Sequence, residues 1–141
     1  MFHMLKRKYN VSFYSSFIFL INVIIGLTYQ TMYSHIYALL FFILFTTSIL
    51  FRIFEYPFLL YADKLAIYSV VAYGAYMFFT KTFLTHTYFT IILTFLTTIV
   101  LYHYGHLTNQ FCFSEDKDLG ELYHAFMHCV SSLGHLLIMT V

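Results

Sequence analysis

Five stretches of this 141-residue chain are each long and apolar enough to cross a bilayer, and together they take up most of its length. The hydrocarbon core of a membrane is about 30 Å thick, so a helix crosses it in about 20 residues. Inside that core each backbone amide must be satisfied within its own helix or within a closed barrel. The segments 11–30, 35–54, 62–80, 83–104 and 120–141 meet the length. Only 9% of the residues are charged, against about 25% in soluble domains. The expected fold is all-α, a polytopic transmembrane helical bundle of five spans forming a single domain over 1–141. The expected location is an integral, multi-pass place in a membrane. A net charge of +1 offers no electrostatic footprint for nucleic acid.

Local signals set the boundaries. Pro57 biases Tyr56 away from helix and separates the second span from the third, while Lys81 marks a tight turn before the fourth. The one sizeable hydrophilic stretch, 105–118, precedes the fifth span, and Asp118 followed by Glu121 resembles a capping box. The run after Lys6-Arg7-Lys8 is too long for a signal peptide and reads as an uncleaved first span. Lys6, Arg7, Lys8, Arg52, Lys64 and Lys117 fall on one side and Lys81 alone on the other, so the N-terminus is predicted to be cytoplasmic. Cys112 and Cys129 are expected as two reduced thiols.

The last span is the unusual one. It carries His124, His128 and His135 at offsets of four and seven, which places all three on one helical face. A histidine stripe inside a membrane needs a partner, a cavity or a metal. An i,i+4 pair is also the spacing by which one helix presents two nitrogens to one ion. His135 is deeper and is expected to pack or bond to a neighbouring helix. On the predicted topology Ser48, Arg52, Asp63, His103, His106, His124 and His128 all lie toward the same side of the membrane. Interfacial histidines beside tyrosines are the competing reading for His103 and His106.

Ser48-x-x-x-Arg52, Asp63 and His124-x-x-x-His128 resemble a three-part signature of seven-helix membrane hydrolases. That superfamily includes the alkaline ceramidases, the progestin and adiponectin receptors and the hemolysin III-like proteins. Its pattern is Ser-x-x-x-His at the end of helix two, Asp at the start of helix three and His-x-x-x-His in helix seven. His124-Ala-x-x-His128 with Leu133-Gly134, and the step from Ser48 to Asp63, are similar to the ceramidases; Asp63-Lys-Leu-Ala-Ile-Tyr68 is similar to hemolysin III-like proteins. The resemblance implies a zinc-dependent lipid amide hydrolase acting on a membrane lipid such as a sphingolipid. It implies zinc held by His124 and His128, Ser48 as a transition-state donor and Asp63 as the group that orients or deprotonates water.

Two departures accompany the resemblance. Arg52 stands where the family has its third histidine, and a guanidinium cannot ligate a metal. Five spans stand where the family has seven, which is expected to open one wall of the bundle and is compatible with a homo-oligomer. His103 or His106 is the expected substitute for the third ligand, a reading drawn from position alone. The alternative is a degenerate homologue, without hydrolase activity, in which Arg52 pairs with Asp63 or Glu55.

Overall fold

The computed structural model describes residues 11–141. Lys6, Arg7 and Lys8, on which much of the expected orientation rests, lie outside the described residues. The order is α1 (Val11–Ser15), α2 (Ile18–Thr28), α3 (Met32–Phe54), α4 (Pro57–Thr80), α5 (Thr85–Ile99), a π-helical turn (Val100–Tyr104), α6 (Gly105–Thr108), a 3-10 turn (Phe111–Phe113) and α7 (Lys117–Thr140). Five stretches among the described residues are long and apolar enough to cross a membrane: Val11–Thr28, Met32–Phe54, Pro57–Thr80, Thr85–Phe113 and Lys117–Thr140. The chain is a multi-span helical membrane protein, as the hydrophobic pattern requires.

The ends of the helices show which local forces set them. α3 opens on Thr31, whose hydroxyl accepts from Ser34 N at 3.1 Å while Ser34 Oγ accepts from Thr31 N at 3.4 Å, a reciprocal cap for two amides that lack helical partners. It closes at Glu55, in the left-handed region at φ 53°. Pro57 ends nothing further: it is the first residue of α4, where its missing N–H costs no hydrogen bond. The third span therefore starts five residues earlier than its apolar run suggests. The fourth likewise continues beyond 104, through α6 and a 3-10 turn. At the last helix the cap is Asp116, which accepts from Asp118 N and Leu119 N, in place of the expected Asp118.

In lipid, apolar burial gives helices little reason to associate, so close packing and hydrogen bonds must hold them. α7 lies against α1, α2 and α5, while α2, α3 and α4 pack in chain order. Small residues allow the close approaches. A Cβ on Gly26 would come within 2.9 Å of Ala38 Cβ, and one on Gly134 would strike Thr94 of α5. The shared core includes Phe19, Tyr37, Phe41, Leu44, Val70, Met77, Ile91 and Ile138. α4 and α5 meet near their turn, where Phe78 stacks on Phe83 and Tyr88. Over the rest of their length they scarcely touch. This leaves a seam between α4 and α5 along most of their length.

Candidate functional site

The Arg52 end of the bundle gathers polar groups from α1, α3, α4 and α7. Ser48, one turn before Arg52 on α3, is 7% exposed and donates to Asp63 Oδ1 at 2.5 Å. Thr47 donates to the same oxygen at 3.1 Å. Two hydroxyls on one oxygen orient the carboxylate, and among the described residues Oδ2 has no hydrogen-bond partner. The structure brings Ser48 and Asp63 together across the α3–α4 pair.

On α7, His124 and His128 sit one turn apart with ring centroids 4.8 Å apart and planes at 87°. His128 is 7% exposed, its Nδ1 lies 2.8 Å from Ser15 Oγ, and Phe19 covers it at 4.9 Å. Among the described residues, no ring nitrogen of His124 and no second nitrogen of His128 has a hydrogen-bond partner. Among the described residues, no side-chain nitrogen or oxygen is both sealed from space and unpartnered. His128 Nε2 and the His124 nitrogens are therefore not sealed off by the surrounding side chains.

Arg52 completes this layer. Its guanidinium lies 3.7 Å from Glu121 Oε2, and Ser12 Oγ donates to that same carboxylate oxygen. Neither expected partner, Asp63 or Glu55, takes the ion pair. Arg52 does remain within Coulombic reach of Asp63, His124 and His128. Glu121 is three residues before His124 and seven before His128, so it belongs to the same stripe. That spacing is visible in the sequence, where Glu121 also fits a capping box; the cap itself is Asp116.

His103 and His106 are placed differently. Both are exposed, His103 on the π turn with its ring against Tyr102, and His106 on α6 with its ring edge-on to Phe113 at 4.9 Å. Among the described residues no three His, Cys, Asp or Glu side chains come together as a metal-binding group. The donor set at the centre is thus two imidazoles beside a permanent cation. Catalytic zinc ordinarily has three protein ligands, and these residues do not fit that requirement.

Deeper along α7 the polar residues are closed pairs. Ser132 Oγ donates to Asn22 Oδ1, and Asn22 Nδ2 donates to Ser132 O at 3.2 Å. His135 Nδ1 and Tyr37 OH are 2.6 Å apart, with Phe41 edge-on to the imidazole at 5.3 Å. A Cβ at Gly74 would come within 2.7 Å of both rings of that pair, so only glycine lets α4 pass there. His135 bonds a neighbouring helix, as its depth suggested.

The first span contributes more than hydrophobicity. Ser12, Ser15, Asn22 and Phe19 all contact α7 residues. Ser15 and Ser16 also donate to Ser12 O, at 2.9 and 3.0 Å, and the helix breaks between α1 and α2 at this point. Serine hydroxyls that compete for a helix carbonyl commonly bend it. No family model, curated protein or solved structure matches the chain.

Proposed function

We propose that this membrane protein is a catalytically altered relative of the ceramidase-like hydrolases, whose polar centre binds the head region of a membrane lipid without resident zinc. The observation that carries this reading is the Arg52–Glu121–Ser12 chain of contacts, standing in the same layer as His124 and His128. In the resembled pattern Arg52 would be the third ligand. Here a fixed cation and its carboxylate take that place, and a guanidinium stays protonated under all working conditions. The remaining groups suit recognition of a polar head. Asp63 Oδ2 and a histidine nitrogen accept from ligand hydroxyl or amide hydrogens, and Arg52 donates to a carbonyl or phosphoryl oxygen. The seam between α4 and α5 gives an acyl chain a route to that layer from the lipid.

A second reading is supported by the Ser48–Asp63 bond at 2.5 Å, which joins the two residues to which the hydrolase resemblance gives catalytic roles. Under it the chain is a zinc-dependent lipid amide hydrolase in which His103, exposed on the π turn, would have to swing in to join His124 and His128. Metal analysis of the purified full chain separates the two. The first reading expects zinc well below one per chain in wild type, unchanged in His124→Ala. Close to one zinc per chain, lost in both His124→Ala and His103→Ala, would overturn it. Hydrolysis of a fluorescent long-chain lipid amide would do so as well, provided that the activity is abolished in Asp63→Asn.

A further inference from the structure

The break in the first span places Ser15 Oγ against His128 Nδ1. Ser15 Oγ makes two contacts, 2.9 Å to the carbonyl oxygen of Ser12 and 2.8 Å to His128 Nδ1. A carbonyl can only accept, and a serine hydroxyl has one hydrogen to give. Given to Ser12 O, which also takes Ser16 Oγ at 3.0 Å, that hydrogen is not available to His128. The contact with His128 then exists only if Nδ1 carries a hydrogen and donates to Ser15 Oγ. In a neutral imidazole one nitrogen donates and the other accepts, so Nε2 carries the lone pair.

We infer that Ser15 is a positioning residue that holds His128 in the Nδ1–H form and directs a bare Nε2 into the polar centre. Two further observations fit this role. Phe19 and His124 flank the ring at 4.9 and 4.8 Å, which limits its rotation. Among the described residues Nε2 has no hydrogen-bond partner, and it is not sealed off by its neighbours. It is therefore the atom that meets a ligand hydrogen or an ion. The bond that fixes one nitrogen of a working histidine ordinarily sets the basicity and orientation of the other. This inference does not depend on which reading of the centre is correct, because a bare Nε2 serves both.

Nitrogen NMR of the full chain, labelled at histidine and held in lipid nanodiscs, tests it, with His128→Gln used to assign the signals. Wild type is expected to show a protonated Nδ1 and a bare Nε2 for His128. Ser15→Ala should convert His128 to the opposite tautomer or to a mixture, and Ser15→Thr should restore the wild-type pattern. The His135 signals, fixed by Tyr37, report that the bundle is intact. A protonated Nε2 in wild type would overturn the inference, as would Ser15→Ala with His128 unchanged. If Ser15→Ala also disturbs His135, the wild-type tautomer decides alone.

Discussion

The last helix carries two kinds of polar residue, and they differ in what is left over. Toward its end, Ser132 and His135 are each matched to one neighbour, Asn22 and Tyr37. Toward its start, Glu121, His124 and His128 share contacts with α1 and α3 while several nitrogens remain free. Both sets lie on the same helical stripe, so sequence position alone does not separate them. Closed pairs hold helices in register in a medium where apolar burial gives little preference. Open atoms beside internal space are what binding needs. The contrast between the two halves is the main ground for placing the functional centre at the Arg52 end.

The sharpest way to break the contrast is at Gly74. Gly74→Val must displace either Tyr37 or His135, and overpacking of this kind costs about 3 kcal/mol. A correspondingly large fall in unfolding free energy should appear in bicelles, with His135 signals shifted and the His124–His128 region less affected. A loss below about 0.5 kcal/mol would mean that the deep pair is looser than its geometry.

Next in size is the loss of one member of a closed pair. Tyr37→Phe leaves His135 Nδ1 buried without its partner and should cost about 1–2 kcal/mol. Membrane hydrogen bonds average less than this, so the measurement also tells how sealed the pair is. The Arg52–Glu121 ion pair should behave differently, being partly exposed at 19% and 33%. A double-mutant cycle of Arg52→Met and Glu121→Gln is expected to give a coupling of about 1 kcal/mol or less. Coupling well above that would make the pair a structural staple comparable to the deep ones.

Smallest of all should be the stability cost of substitutions at the open atoms. His124→Gln removes no protein hydrogen bond and should change stability by within about 0.5 kcal/mol. Its effect should instead fall on ligand binding. Were His124→Gln as damaging as Tyr37→Phe, the division of the stripe would fail.

The five spans were legible because bilayer thickness imposes a length that hydrophobicity reports directly. Their ends were less so. Pro57 breaks a helix only in its interior, and whether it stops one or starts the next depends on Glu55 taking the left-handed conformation just before it. At the site, Ser48 and Asp63 could be paired from spacing, since they lie on consecutive helices joined by a short turn. Ser12, Ser15 and Asn22 could not. Small polar residues are common in membrane helices, and only the packing of α1 and α2 on α7, more than 100 residues along the chain, gives these three a role. Arg52 was recognised as the departure from the resembled pattern, but its partner was hidden because Glu121 had an adequate local explanation as a cap.

The central claim is that the Arg52 end is a binding centre rather than a set of structural hydrogen bonds. Native mass spectrometry of the full chain, extracted from membranes and compared with Asp63→Asn and Tyr37→Phe, tests it most directly. Wild type and Tyr37→Phe should retain a co-purifying polar lipid, and Asp63→Asn should lose it while remaining as stable as Tyr37→Phe or more so. Equal lipid occupancy in wild type and Asp63→Asn, or no retained lipid in any of the three, would contradict the claim.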